Sequence, residues 1–599
     1  MGQRLRPALQ DHEDEDHDEH DGEVTHARMV PQGIVAAMLL VFGPRSTDYD
    51  FGPDHPLTPR RFGPAIDLLR AVGAEPGLAP EPAPDEDLLA SHTQRYLDAV
   101  KRFSADPFGF PELGIGEGGD CPPFGGMHEA SSAVAGGSLR AIEAILRGDV
   151  EHAQHPGGGL HHAMAERASG FCIYNDPALA IARARRDGLR VLYIDLDVHH
   201  GDGVQAIHWD DPGVLTFSIH ETGRALFPGT GEAEEVGEGI AAGTSVNMPL
   251  PPGTGERAWL GALTLLLPEL AATFGPDLVV SQHGADSHAW DPLAHLNVTT
   301  TAHGAAARLV DTIAHLHGHG RWLATGGGGY DAYRVVPRTW ALTWLAGAHR
   351  DIPSETPTAW RERWAAEAAR YGQAPLPERF DDERNAGLPM DAMQAAAEER
   401  AAGIAALVRQ VLVPRLVQVG RDCGWWDPLV AAPTSITGAG RLTGTPTIVA
   451  DVEATTWAGL SLAPRVIPPA DPAAAHALVL AGLGDGARVT AAVVGTVAVG
   501  VAISRVDGAE DEILALGVEP GQRRQGIAAR LLAAHASPER AGTVTVTLAE
   551  RDVVEPLDRG DRASIARRLL SVAGYRVESA PGVVRSVDPS AIVARREPA

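Results

Sequence analysis

Residues 191–203 read VLYIDLDVHHGDG, an apolar run that ends in Asp195, Asp197 and His199 at alternate positions. In an extended strand, alternate side chains share a face, so this spacing predicts two carboxylates and an imidazole side by side. Buried carboxylates are costly unless they hold a cation, and Asp and His donors suit a borderline metal such as zinc; iron(II) fits the same donors. A catalytic site keeps an open position and so needs a third protein ligand from another strand end. The passage Ser281-Gln282-His283-Gly284-Ala285-Asp286 offers Asp286, with His283 as a competitor.

Two further motifs carry proton-transfer and oxyanion chemistry. Pro156-Gly157-Gly158-Gly159-Leu160-His161-His162-Ala163 places adjacent imidazoles after a glycine run. Imidazole titrates near neutral pH, and a carboxylate on its far nitrogen fixes its tautomer; Asp195 and Asp202 are the acids available. Thr325-Gly326-Gly327-Gly328-Gly329-Tyr330 gives either a mobile loop or a very close backbone approach. A tyrosine carried there can donate its hydroxyl to a developing oxyanion.

The elements that must position these residues follow from the pattern of apolar runs. Strands are expected at Ile34–Phe42, Arg190–Val198, Val214–His220, Asp277–His283 and Arg321–Ala324, with helical stretches at Ser131–Ala144, Pro177–Arg186 and Glu256–Phe274 between them. Such alternation predicts an α/β fold with a parallel sheet covered on both faces, whose strand C-terminal ends form the crevice. The polar residues named above fall at those ends. Residues 351–423 read as helical, with segments at Trp360–Tyr371 and Met393–Val419. Residues 1–30 form an acidic, His-rich tail expected to be disordered. A Gly/Pro/Thr-rich linker spans 424–446, and 447–599 reads as a separate domain.

With these residues in place, positions 31–350 resemble the class I histone deacetylases and the bacterial acetoin-utilisation deacetylases. The matching stretches are DYDFGPDHPLTPRR (48–61), PPFGGMHEASSAVAGGSL (122–139), PGGGLHHA (156–163), ASGFCIYND (168–176), YIDLDVHHGDGV (193–204), SIHETGRALFPGTGE (218–232), GADSHAWDPL (284–293) and GGGGY (326–330). The resemblance implies the arginase/deacetylase fold, an eight-stranded parallel sheet flanked by helices. It assigns the metal to Asp197, His199 and Asp286, against His283, and the catalytic histidine pair to His161 and His162, backed by Asp195 and Asp202. Tyr330 becomes the transition-state tyrosine. Gly170, Phe171 and Phe227 line a narrow acyl-lysine tunnel with Asp120 at its rim, and Arg61 serves an internal acetate channel. Potassium is implied near Asp195, Asp197, His199, Ser218 and Ile219.

The C-terminal segment EILALGVEPGQRRQGIAARLL (512–532) has its own resemblance, to motif A of the GNAT acetyltransferases. In that motif a strand is followed by backbone N–H groups that cradle phosphate at a helix start. Arg523, Arg524, Gln525, Gly526, Ile527 and Ala528 would hold the pyrophosphate of acetyl-CoA. The run LLSVAGYRV (569–577) resembles the closing segment of that family, with Leu570 where many members carry a tyrosine. An α+β GNAT-like domain is therefore expected at 447–599.

Bulk properties narrow the function. At 599 residues the chain exceeds one core. Its net charge of −28 argues against non-specific nucleic-acid binding. Three cysteines cannot build a disulfide framework, which fits a reducing cytosol, and no continuous apolar run is long enough to suggest a membrane span. The expected activity is metal-dependent hydrolysis of N-acetyl-lysine on proteins, with bacterial metabolic enzymes as substrates. The alternatives are deacetylation of small amines such as acetylpolyamines, or a C-terminal acetyltransferase or acetyl-CoA sensor as the main actor.

Overall fold

In the computed structural model, residues 38–382 and 392–425 are described throughout; beyond 446 the described residues are mainly strands of a second sheet. The acidic tail, most of the 424–446 linker, Arg523 to Ala528 and Leu570 lie outside the described residues.

The first sheet contains β1 (Leu39–Val41), β2 (Pro76–Leu78), β3 (His152–His155), β4 (Val191–Asp195), β5 (Val214–Glu221), β6 (Ser245–Leu250), β7 (Leu278–Gln282) and β8 (Trp322–Thr325). All pairs are parallel, in the order β2-β1-β3-β8-β7-β4-β5-β6. The chain crosses from β3 to β4 and leaves a gap that β7 and β8 fill later. The neighbouring strands β3, β8, β7 and β4 therefore carry the loops with the histidine pair, the glycine run, Asp286 and Asp197. The eight-stranded parallel sheet expected from the family resemblance is the one observed.

Every residue of β4 is buried, as a strand covered on both faces requires. Leu192 and Ile194 pack with helices Glu256–Phe274, Thr300–His317 and Val336–Gly347, while Val191 and Tyr193 pack with helices Met127–Arg147 and Asp176–Arg186. The expected strands and helices are present within about four residues of their predicted ends, except that β1 begins at Leu39, and residues 34–37 of its predicted span lie outside the described residues. One premise needs correction. β4 ends at Asp195, and the last ladder-like bond runs from Leu196 N to Gln282 O (3.0 Å). Asp197 and His199 therefore sit on the turn beyond the strand, not on the strand itself. β5 runs through His220 to Glu221, one residue past its predicted end.

Strands β2 and β3 carry no apolar signature, and β6 has only the short alternation of Val246, Met248 and Leu250. His152, Gln154 and His155 of β3 are buried polar residues, bonded to Gly347 O (2.7 Å), Trp340 O (3.0 Å) and Ser138 Oγ (2.9 Å). β6 holds Pro249 and tolerates it as an edge strand.

Helix Ala392–Asp422 is long and apolar enough, by length and composition, to cross a membrane. Its buried residues Ala401, Ala405, Val408, Leu412 and Leu416 join the core cluster that contains helix Glu256–Phe274. Glu398 accepts Gly255 N–H (2.9 Å) and pairs with Arg257 (3.2 Å), tying the two helices at one end. Gly424 and Trp425, assigned to the linker from sequence, belong to this packed body: Trp425 is buried with its ring 5.0 Å from Phe274.

The strands of the second sheet run in the order 447–449, 488–494, 497–507, 510–518, 543–547, 591–595 and 576–577, with 461–462 on 497–507. Most neighbours are antiparallel, but 510–518 and 543–547 pair in parallel from Glu510↔Thr543 to Ile513↔Val546.

A buried ionic knot ties helix Val336–Gly347 to the start of helix Thr300–His317. Asp382 accepts from Arg338 Nη1 (2.6 Å), His288 Nε2 (2.8 Å), Thr300 N (2.9 Å) and Thr300 Oγ1 (3.0 Å). Burial alone would raise the Asp382 pKa; His288 and Arg338 outweigh it and hold the group below the usual carboxylate range. A depressed folded pKa adds stability that is present above the unfolded value, about 3.9, and fades as pH falls through the folded one. Asp382→Asn leaves Arg338 buried without its counter-charge, and such a break costs about 3 kcal/mol. Denaturant unfolding should show that deficit at neutral pH and a narrowing gap to wild type below about pH 4; equal stability at pH 7 would sink the assignment.

Candidate active site

The site is built on buried carboxylates whose oxygens are used by identifiable donors. His161 Nδ1 lies 2.7 Å from Asp195 Oδ2, which also accepts the Tyr193 hydroxyl (2.7 Å). His162 Nδ1 lies 2.6 Å from Asp202 Oδ1, and the two rings face each other Nε2 to Nε2 at 3.0 Å. With both Nδ1 atoms donating to carboxylates, that last contact is a hydrogen bond when one ring carries an extra proton. Burial opposes charge on both rings, but Asp195 and Asp197 outweigh it at His161 and raise its pKa to about 9. His162 is lowered to about 4 by burial and by the charge on His161, against the pull of Asp202. The pair therefore carries one proton beyond its two Nδ1 hydrogens, on His161.

Asp197, His199 and Asp286 offer one ligand atom each within 4.8 Å of one another, all buried. His199 Nδ1 is 2.9 Å from Asp197 Oδ1 and 3.2 Å from Asp286 Oδ2. The other oxygens of these acids are spoken for. Asp197 Oδ2 accepts Gln282 Nε2 (2.7 Å) and Gly328 N (2.8 Å), and Asp286 Oδ1 accepts Val198 N (2.9 Å). Asp286 Oδ2 is buried with no hydrogen-bond partner. Burial and the neighbouring Asp197 raise the Asp286 pKa to about 6. A buried lone pair facing an imidazole and a second carboxylate is the donor set a divalent cation fills, so these residues fit a metal. His283 does not join them. It bonds Ser281 Oγ (2.8 Å), and burial lowers it to about 3.

The glycine run proves to be a close approach. A Cβ on Gly328 would lie 1.9 Å from Asp286 Oδ2 and 2.9 Å from Asp197 Oδ2, so only glycine lets this backbone N–H reach Asp197. Tyr330 follows, its N–H donated to Asp291 Oδ2 (2.9 Å) and its ring 6.1 Å from Phe171. Burial and the charges of Asp286 and Asp197 push its phenol well above the usual range, so it keeps its proton as a donor. Behind the loop, buried Arg61 donates to Gly327 O (2.6 Å) and lies over the Trp340 ring (5.2 Å).

Two aromatic rings stand at the mouth. Phe227, 43% exposed, sits edge-on to His162 at 5.0 Å. Phe171 has a left-handed backbone, φ 67°, a conformation that costs about 1–3 kcal/mol outside glycine. Tyr49 holds it: the hydroxyl donates to Phe171 O (2.7 Å) and accepts Ile173 N–H (3.1 Å). Asp120 joins the rim by accepting Gly170 N–H (2.7 Å). Ser218 lies beside Asp195 across the β4–β5 ladder, with its hydroxyl 2.9 Å from His220 Nδ1.

The sequence-predicted residues of the first domain thus converge on one crevice. Several supporting residues had been given no role. Asp176 accepts Gly159 N (3.0 Å), Leu160 N (2.8 Å) and Ser138 Oγ (2.6 Å), which shapes the loop before the histidines. Asn175 caps its helix at Ala178 N (2.9 Å) and donates to His161 O and Ala163 O. Asn-Asp-Pro at a helix start is a legible capping signal; the second use of the side chain is not. Gln282, Asp291 and Tyr49 act over long sequence separations and leave no local trace.

The comparisons with known proteins agree with this geometry. A histone deacetylase domain model matches residues 55–346. The acetoin utilization protein AcuC of Bacillus subtilis (strain 168) is 44% identical over 333 residues, covering 54% of this chain and 86% of the relative. AcuC of Staphylococcus aureus (strain COL) is 37% identical over 358 residues, covering 58% of this chain and 90% of that one. Among solved structures, a histone deacetylase homologue complexed with SAHA aligns with TM-score 0.53 and 27% identity, and a homologue from Aquifex aeolicus with TM-score 0.53 and 28% identity. Each alignment covers 61% of this chain and all of the other. The chain belongs to the histone deacetylase family, alongside the acetoin-utilisation deacetylases, and is a deacetylase with the metal-binding group that this family implies.

Proposed function

We propose that the chain hydrolyses N-acetyl-lysine on proteins with zinc as its metal, Asp197, His199 and Asp286 being the ligands. The carrying observation is the unpaired Asp286 Oδ2, turned toward His199 beside a histidine pair whose rings face each other Nε2 to Nε2 and can share one extra proton. When bound, zinc would polarise the amide carbonyl and lower the pKa of water. The chain's own groups do the rest. His162, the ring that is neutral near pH 7, accepts the proton of the attacking water as its oxygen bonds to the carbonyl carbon. His161 stays charged against Asp195 and stabilises the developing negative charge. Tyr330 donates its hydroxyl to the oxyanion. The C–N bond then breaks, the proton held by His162 passes to the amine nitrogen, and acetate and lysine leave. Phe171 and Phe227 suit the methylenes of an acyl-lysine, removing apolar area from water. Gly170 and Asp120 shape the rim of that tunnel, and Arg61 is placed to draw acetate inward. Potassium beside Asp195, Asp197, His199, Ser218 and Ile219 would offset further negative charge.

For the C-terminal segment the reading is acetyl-CoA binding by a GNAT-like domain, at Arg523, Arg524, Gln525, Gly526, Ile527 and Ala528. The favouring observation is the parallel pairing of 510–518 with 543–547 in an otherwise mostly antiparallel sheet. A parallel pair demands a crossover, and the motif falls in the chain between these strands.

Two outcomes test these readings. Acetyl-lysine peptides should be cleaved in preference to acetylpolyamines, and chelation should abolish cleavage, with zinc restoring it. His162→Ala should lower kcat by about 10²–10⁴ with metal content unchanged; wild-type turnover by that variant would remove His162 as the base. Separately, the full chain should bind acetyl-CoA calorimetrically. The Arg523→Ala/Gly526→Ala double variant should not, and equal binding by both would end the GNAT reading.

A further inference from the structure

A second group of imidazoles lies at the other end of β3 from the active site. His152 opens that strand, and Asp311 and His315 are one turn apart on helix Thr300–His317. His349 follows helix Val336–Gly347 with a left-handed backbone, φ 53°. Their ligand atoms all fall within 4.8 Å of one another. His315 Nε2 and His349 Nε2 are 3.1 Å apart. Asp311 Oδ1 is 3.2 Å from His349 Nε2, 3.5 Å from His315 Nε2 and 3.8 Å from His152 Nε2. A tetrahedral zinc with ligand bonds of about 2.0–2.1 Å requires donor–donor edges of roughly 3.3 Å. The observed edges bracket that value.

His152 distinguishes this group from a hydrogen-bonded surface cluster. Its side chain is 4% exposed, and Nδ1 lies 2.7 Å from Gly347 O. Donation to that carbonyl places the proton on Nδ1 and leaves a lone pair on Nε2, the arrangement metal-bound histidines adopt. Nε2 is buried and has no hydrogen-bond partner. A network of His315 and His349 around Asp311 would leave that lone pair stranded; a cation would use it.

We propose that His152, Asp311, His315 and His349 form a second zinc site, closed by four protein ligands and structural in role. It would staple the start of β3 to two helices distant in sequence. Asp197, His199 and Asp286, with three ligands, leave room for water and substrate; this group leaves none. His315 and His349 are 38% and 55% exposed, so the ion would exchange with solvent more readily than one held by the fully buried catalytic group.

The test uses the full chain, stripped with chelator and dialysed against zinc, with bound metal counted by mass spectrometry. His349→Ala and, independently, Asp311→Asn should each bind about one ion fewer per chain than wild type. Their peptide deacetylation rate should be unchanged, and they should lose most of the zinc-induced rise in Tm. Asp286→Ala should lose the other ion and keep that rise. Equal zinc content and equal Tm shifts in wild type and both variants would overturn the site. So would loss of activity together with the ion, which would place it in the catalytic group. The ion count reads the same whether or not the acetyl-lysine assignment survives.

Discussion

Buried negative charge is the constraint on which the catalytic end of the sheet depends. Asp195, Asp197, Asp202 and Asp286 are all at most 6% exposed and crowd around the end of β4. Burial raises the cost of each, and Asp286 bears it most plainly, with its pKa lifted to about 6 by burial and by Asp197. The fold answers with donors. His161 and His162 each face one carboxylate, Tyr193 adds a hydroxyl, Gln282 an amide, and Val198 and Gly328 their backbone N–H groups. What these leave unanswered is one oxygen of Asp286. A cation completes the balance, and the remaining features of the site follow from keeping that pocket small.

The glycines show how small. A side chain on Gly284 would meet Asp197 Oδ2 at 2.2 Å, and one on Gly328 would meet Asp286 Oδ2 at 1.9 Å. Backbone must replace side chains here because carboxylates need N–H donors at hydrogen-bond range and there is no volume for Cβ atoms between them. The same economy sets the rim. Phe171 accepts an unfavourable backbone conformation, and Tyr49, more than a hundred residues away in sequence, satisfies the carbonyl and N–H groups on either side of the bend. The bend that carries Phe171 is thus held by a polar contact from a residue distant in sequence.

The parts of this arrangement legible in sequence were those with a local signature. β4, β5 and β7 are rich in Val, Leu, Ile and Phe, and helix Glu256–Phe274 has the expected ends. The clustering of Asp197, His199 and Asp286 and the pairing of His161 with His162 were legible because rare residue types recur at strand ends. β3 was not, since His-Ala-Gln-His shows no apolar period; its stability as a buried strand comes from partners such as Trp340 and Gly347, far along the chain. Asp176, Gln282 and Asp291 were silent for the same reason. The alternation of Asp195, Asp197 and His199 pointed to Asp197 and His199, which the structure brings together with Asp286, but from a premise that the structure amends. The strand stops at Asp195, and the turn beyond it, pinned by Asp197 N to Asp195 Oδ1 (3.2 Å) and Val198 N to Asp286 Oδ1 (2.9 Å), sets their aim.

The two His/Asp groups obey one rule with opposite consequences. In a parallel sheet all strands end on one edge, so loops from neighbouring strands can concentrate functional groups there; the four central strands do so for the catalytic group. On the opposite edge strands begin, and contributions must come from helix ends and single strand starts. The His152 group is assembled that way, from β3, the last two turns of one helix and the residues after another. Carboxylates dominate the first group and imidazoles the second. The first therefore concentrates negative charge and depends on burial and supporting donors to aim it, whereas the second carries one acid among three histidines and sits near the surface. Reactivity fits the first and attachment the second, because a reacting centre needs an unfilled position in a dry pocket while a staple needs every position filled.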